Sequence, residues 1–224
     1  EFNDNQLIKV KRYSLDEVKA AINEHPEWLE SPAIISSVLS DKETKQLQLR
    51  FGSFTIVVNP TTEIPIPSLY ESKETLGVDR MCNAVYASKH TLTEHALVID
   101  IGTCVKFDLI HNKEGYLGGS ISPGINLRSK SLNDYTGKLP YLSNKSRVEI
   151  VGKTTQKSIQ SGIINGMNAE INGLIEKYQE EYSNLTFFVT GGDSECFDIH
   201  SKNDIFADKN LTLKGLYEIY KYNV

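Results

Sequence analysis

Cysteine is scarce in this 224-residue chain: Cys82, Cys104 and Cys196 are the whole complement, odd in number, widely spaced and without a CxxC pair. That argues against a disulfide framework and against a structural zinc site, and it fits a reducing compartment. An excess of positive charge is also lacking. Lys and Arg number 24 against 29 Asp and Glu, giving a net charge of −5. No basic patch interrupts that balance, so a nucleic-acid partner is not expected. No apolar run approaches the length of a membrane span, and no secretory leader stands at the start. A cytoplasmic protein without a membrane partner is therefore expected, and the Asn-x-Ser/Thr matches at Asn144, Asn184 and Asn210 are read as chance. Internal repeats, low-complexity tracts and long linkers are missing too.

What is present describes an ordinary globular protein. Hydrophobic residues make up 39% and charged residues 24%, over a length comfortable for two small domains. Phe2-Asn3-Asp4-Asn5 reads as a turn and Gln6 to Arg12 as a strand leaving it. Ser14 and Glu17 form a capping-box signature, which predicts a helix to about His25, stopped by Pro26. Ala33–Val38, Leu47–Phe51 and Phe54–Val58 read as strands, and the proline-bearing stretch from Asn59 to Leu69 as loop. A helix is expected near Met81 to Lys89. The second half opens with a buried strand at Ala96–Asp100, a returning strand from Cys104 to His111 and a third from Glu114 to Ile121. Gln156 to Tyr182 has helical spacing of Ile159, Ile163, Met167 and Ile171. Thr186–Thr190 reads as a strand and Leu213–Tyr222 as a closing helix. Gly162, Gly166 and Gly173 each cost the long helix about 1 kcal/mol relative to Ala. That cost points to close packing of one face, against its own sheet or against another subunit. Strands precede helices in each half, which predicts an α/β chain of two domains with mixed sheets, joined by the helix after Arg80, with a cleft between them.

Four short segments have the makings of chemistry. Asp100-Ile101-Gly102-Thr103 puts an acid at the carboxyl end of a buried strand. Gly102 in its turn lets backbone N–H groups approach an anion, and Thr103 adds a hydroxyl. Thr190-Gly191-Gly192-Asp193 comes after another apolar strand, and two glycines there permit close approach of a flat ligand. Gly118-Gly119-Ser120-Ile121-Ser122-Pro123-Gly124 is either a cleft wall or a loop connection. Leu76-Gly77-Val78-Asp79-Arg80 offers a base and a cation at the domain junction. Taken singly, each is as well explained by a turn or a helix start. Gly152-Lys153-Thr154-Thr155 looks like the tail of a P-loop, but the position of the required earlier glycine is Arg147, so the chain has no such motif.

The order and spacing of LGVDR, DIGT twenty-one residues after its Asp, GGSISPG, VGKTTQKSIQSG, VTGGD and LKGLYEIY resemble the type III pantothenate kinases. The resemblance implies two ribonuclease-H-like domains of the actin-like ATPase kind, 1–90 and 91–224. It also implies phosphorylation of pantothenate by ATP with Mg²⁺ at the start of coenzyme A synthesis, and a homodimer. Asp79 would accept the proton of the substrate hydroxyl, and Tyr70, Gly77, Val78, Arg80 and Thr155 would contact pantothenate, with Thr154 the alternative to Thr155. Gly102, Thr103, Gly191 and Gly192 would face ATP, and Asp100 would hold a monovalent cation, potassium or ammonium. A carboxylate suits proton acceptance from an alcohol, and a hard cation suits an oxygen ligand.

Two positions depart from the family pattern. Family members commonly have Thr where this chain has Lys106, which either alters the cation site or points to solvent. The family also opens with a strand and a DxGNTxxK phosphate loop, and residues 1–12 look like the stretch of chain just after such a loop. A natural chain about fifteen residues longer at its start is therefore expected. The rival readings are a non-catalytic relative acting as a transcription accessory factor, and another actin-like sugar or acetate kinase. Asp79 and Asp100 speak against the first, and LGVDR with its upstream tyrosine against the second.

Overall fold

The computed structural model of the chain describes residues 1–37, 39–51 and 54–224, with the backbone alone for Leu15 and Lys19. Phe2–Asn3 (β1) and Gln6–Leu7 (β2) pair as an antiparallel hairpin. Its turn is Asp4-Asn5, with φ of 45° and 66°, the left-handed pair that a tight hairpin requires. The strand expected to run to Arg12 thus stops at Leu7, and Phe2–Asn3, read as turn, is its partner. Helix α1 (Leu15–Glu24) starts on its capping box: the Ser14 hydroxyl accepts from Glu17 N, and Ser14 N donates to the Glu17 carboxylate.

Strands β3 (Ala33–Ser36) and β4 (Thr55–Val58) pair in parallel, from Ala33 opposite Thr55 to Ser36 opposite Val58. The expected first strand extended to Val38, which lies outside the described residues. Parallel neighbours need a crossover, and helix α2 (Asp41–Arg50) supplies it. This corrects the strand expected over Leu47–Phe51. There the two-residue alternation of Leu47 and Leu49 lost to a second capping box, Ser40 with Glu43, and to a run of good helix formers.

The C-terminal part is built on a five-stranded mixed sheet in the order β7-β6-β5-β8-β9. β5 (His95–Ile101), β6 (Cys104–His111) and β7 (Gly115–Pro123) form an antiparallel meander. β8 (Leu185–Thr190) and the short β9 (Ile205–Ala207) continue the sheet in parallel. Side chains along β5 alternate between two cores. Ala96 and Val98, with Ile110, Tyr116 and Phe188, pack under helices α3 (Val78–His90) and α6 (Leu211–Tyr222). Leu97, Ile99 and Ile101, with Phe107 and Leu109, pack under the long helix α5 (Thr155–Glu181). Burying each large apolar side chain stabilises the fold by roughly 1.5–3 kcal/mol. Helix α4 (Ile125–Asp134), not expected from the sequence, comes directly after β7.

Helices α3 and α6 approach so closely that a Cβ on Gly215 would strike the Cys82 carbonyl. The three α5 glycines behave differently. A Cβ on Gly162, Gly166 or Gly173 would meet nothing within 4 Å, so they do not serve contact with the helix's own sheet. Among the described residues, no helix is long and apolar enough to cross a membrane.

Candidate active site

The site is assembled where the α3 N-terminus meets one face of the sheet. Strand alternation puts Ala96, Val98 and Asp100 of β5 on the face toward α3, with Lys106, Asp108 and Ile110 of β6 beside them. Asp100 is opposite Lys106, and Val98 opposite Asp108. An otherwise apolar face therefore carries three charged groups, and the first turn of α3 brings Asp79 and Arg80 to meet them.

Lys106 Nζ donates to Asp79 Oδ2 at 2.5 Å and lies 2.7 Å from Asp100 Oδ2. Asp79 Oδ1 accepts from Arg80 N at 2.9 Å, so both of its oxygens are held. Gly77 makes this possible, because a Cβ there would stand 2.6 Å from Asp79 Oδ1. Burial pushes the Asp79 carboxyl up, but the Lys106 ammonium and the Arg80 N–H outweigh it, and the carboxyl sits below the usual range. Burial likewise opposes the Lys106 charge, yet Asp100 and Asp79 together raise it above the ordinary lysine value.

Beneath this pair lies a second one. Arg80 Nε donates to Asp108 Oδ1 at 2.7 Å, the Tyr116 hydroxyl donates to the same oxygen at 2.8 Å, and Asp108 is wholly buried. The guanidinium lies beside two rings that touch each other, 5.7 Å from the Tyr70 centroid and 5.6 Å from that of Tyr116. Burial pushes the Asp108 carboxyl up against the pull of Arg80 and Tyr116, whereas the Asp108 charge raises Arg80 in spite of its own burial. A guanidinium does not deprotonate in proteins, so Asp108 always has a full positive charge against it, and the pair is ionised. Tyr70 reaches Arg80 because its loop is tied to β7: Tyr116 N donates to Pro67 O at 3.0 Å and Leu69 N to Tyr116 O at 2.9 Å.

Past the end of β5, the DIGT and TGGD turns stack on each other. Asp193 N donates to Ile101 O at 2.9 Å. Gly191, at φ 97°, lies so close to the Ile101 backbone that no side chain fits. Gly124 caps α4 against the backbone of Gly102 and Thr103, which makes the end of the GGSISPG segment part of the same wall. Together they border a cleft of about 680 Å³ lined by Gly102, Thr103 and Gly192, whose charged groups are Arg12 and the pairs Lys130–Asp134 and Lys145–Asp193. A Cβ on Gly102 or Gly192 would meet no protein atom within 4 Å, so both glycines face open space. Lys145 donates to the buried Asp193 at 2.5 Å.

Of the residues singled out in the sequence, Tyr70, Gly77, Asp79, Arg80 and Asp100 come together, and Gly102, Thr103, Gly191 and Gly192 form the adjoining cleft. The Val78 side chain belongs to the core under α3. Thr155, exposed at the first position of α5, lines a separate groove of about 1030 Å³ with Arg128, Gly152, Thr154 and Gly162. Thr154 caps that helix, accepting from Lys157 N at 3.2 Å. Sequence reading gave no partner to Asp108 and no role to Tyr116. Their signal was available: an acid at a core-facing strand position needs a buried partner.

The family model for type III pantothenate kinases matches residues 5–177. A type III pantothenate kinase of Phocaeicola vulgatus is 39% identical over 226 residues, covering 99% of this chain and 92% of the relative. One from Christiangramia forsetii is 38% identical, covering 85% and 79%. Among solved structures, a conserved putative Baf family transcriptional activator from Campylobacter jejuni aligns with a TM-score of 0.55 at 25% identity, covering 88% of this chain and 87% of that one.

Proposed function

The chain belongs to the type III pantothenate kinase family, and from that premise we propose how it moves the terminal phosphoryl group of ATP onto the primary hydroxyl of pantothenate, in the first step of coenzyme A synthesis. Asp79 is the group at the alcohol. The observation that carries this reading is the joint fixing of both Asp79 oxygens, by Lys106 and by the α3 backbone, beside the strand whose end opens on a glycine-walled cleft. As the new P–O bond forms and the bond to the leaving ADP breaks, the hydroxyl proton passes to Asp79. Its lowered pKa makes it a weak base at rest, which suits a loose transition state where the proton leaves late. Tyr70, Gly77 and the backbone of Val78 and Arg80 frame the alcohol. Arg80, only 4% exposed, contributes chiefly by carrying the Tyr70 ring.

Gly102, Thr103, Gly191 and Gly192 form the nucleotide side, and the open space at two of these glycines fits a bound ATP. The divalent ion that accompanies ATP neutralises phosphate charge when bound. Among the described residues no group of three or more His, Cys, Asp or Glu is arranged to hold a metal, which suits an ion carried largely by phosphate oxygens. Potassium or ammonium on Asp100 fits less well. The Lys106 ammonium already stands 2.7 Å from Asp100 Oδ2, and no step is routed through such an ion.

The wider organisation is proposed on the same footing. Residues 1–90 and 91–224 are two ribonuclease-H-like units, with α3 belonging to the first in sequence and packing on the sheet of the second. A homodimer is supported by the unfilled glycines of α5, two of which, Gly162 and Gly166, line a groove with the exposed Ile150; Thr155 closes over substrate from the start of that helix. A cytoplasmic setting is supported by three cysteines that are all free, and no nucleic-acid or membrane partner is part of the proposal. The rival transcriptional role is weakened by the intact Asp79 and Asp100. The test is ADP formation by the full-length protein with and without pantothenate, with the product weighed by mass spectrometry. Pantothenate-dependent ADP release with one added phosphate is expected, and ADP release indifferent to pantothenate would overturn the reading.

A further inference from the structure

Two carboxylates of the site converge on one ammonium. Strand pairing sets Lys106 opposite Asp100, so its position is fixed by sheet register and not by a mobile loop. Its side chain is 14% exposed against 39% for Asp79. The ammonium is thus lodged inward, while Asp79 keeps an outward side open to substrate. An alkylammonium has three N–H donors and one positive charge; a free ammonium ion offers the same charge and the same kind of donor, and potassium the same charge.

We infer that Lys106 is the resident monovalent cation of this enzyme: its tethered ammonium does at Asp100 what a potassium or ammonium ion from solution would do, and turnover is independent of both. The inference rests on the kinase reading above. Two further points support it. The charged groups that face Lys106 from the packed elements are Asp100 on β5, Asp79 on α3 and, further back, the Arg80–Asp108 pair, already joined to each other. A second monovalent ion on Asp100 would therefore meet a like charge one contact away. Finally, a covalently attached cation is present at every salt composition, whereas an ion must be bound from solution.

The experiment compares initial rates of the full-length protein in potassium, ammonium, sodium and tetramethylammonium chloride at one ionic strength. Wild-type rates are expected to agree within about twofold, the residue of salt effects. Lys106→Ala should lose roughly 10²–10³-fold in sodium, the scale for removing one preorganised charge, and recover in ammonium, potassium or methylammonium. Melting temperatures give a readout free of turnover. The wild type should melt alike in all four salts, and Lys106→Ala should melt higher in potassium or ammonium than in sodium, because an ion that binds only the native state stabilises it. If the alanine variant does not fold, Lys106→Arg keeps the charge and should stay indifferent to the salt. Wild-type activity raised about tenfold or more by potassium or ammonium over sodium would overturn the inference, as would full activity of Lys106→Ala in sodium. If pantothenate is not phosphorylated in any salt, the kinase reading falls. The melting comparison still decides the cation question, since a wild-type melting temperature raised by potassium or ammonium over sodium rules against Lys106.

Discussion

Truncating Asp108 to alanine leaves a guanidinium in the core with its counter-charge removed. Arg80 is only 4% exposed and loses its ion pair and its Nε hydrogen bond together, while the Tyr116 hydroxyl loses its acceptor. Breaking a buried pair by deleting one partner costs about 3–5 kcal/mol. Two circumstances favour the lower end. Asp108 Oδ2 already lacks a hydrogen-bond partner among the described residues, and the Tyr70 and Tyr116 rings stay beside the cation. For a chain of this size each kcal/mol moves the melting temperature by roughly 2–4 °C, so Asp108→Ala should melt about 6–12 °C below wild type. Tyr116→Phe, which removes one hydrogen bond to a charged acceptor at a cost of about 1.5–3 kcal/mol, is the graded control. Calorimetry on both variants settles the order. An Asp108→Ala melting point within 2 °C of wild type, on the scale above, would refute the view that Arg80 and Asp108 depend on each other.

Gly77→Ala places a Cβ 2.6 Å from Asp79 Oδ1 and must turn the carboxylate away; kcat should fall about 10²-fold, as for a displaced catalytic group, with ATP binding intact by calorimetric titration. Asp79 has a depressed pKa, so its share of stability is full above the ordinary aspartate value near 3.9 and is lost as pH falls through the lower folded value. Lys106 has a raised pKa, so its share is full below about 10.4 and is lost only as pH rises through the higher folded value. Urea unfolding should therefore show a constant difference between wild type and Asp79→Asn from about pH 5 to 9, shrinking below about pH 4. A difference that changes between pH 6 and 8 would point to another titrating group.

The elements that were legible in the sequence had strong local causes. The apolar runs Ala96–Ile99 of β5 and Phe187–Val189 of β8 are what strands buried on both faces require, and α1 and α5 have cap residues and helical spacing. Helix α2 had the same Ser-x-x-Glu signature as α1, yet the alternation of Leu47 with Gln48 and of Leu49 with Arg50 masked it. Helix α4 begins on Gly124 with no side-chain cap, and β9 is a three-residue, exposed edge, so neither left a clear trace. At the site, the DIGT and TGGD turns and LGVDR could be found by motif, but their meeting could not. Which partner Lys106 takes depends on how α3 sits on the sheet, a matter of tertiary packing. The alternation of β6 places Lys106 and Asp108 on one face with Ile110, opposite the apolar Val105, Phe107 and Leu109, and only the packing of α3 makes that face a buried one.

The most direct test of the central claim is the turnover of Asp79→Asn in the full-length protein, with its melting temperature measured on the same preparation. Asn keeps the size of the side chain, but its single acceptor oxygen can keep only one of the two bonds from Lys106 and Arg80 N, and it cannot take a proton. Turnover should fall by roughly 10²–10⁴-fold. ATP affinity should hold, and the melting temperature should move by only a few degrees, since a partly exposed pair contributes about 0–1 kcal/mol. Wild-type turnover in a variant that has lost stability would contradict the account, leaving Asp79 a partner of Lys106 and nothing more.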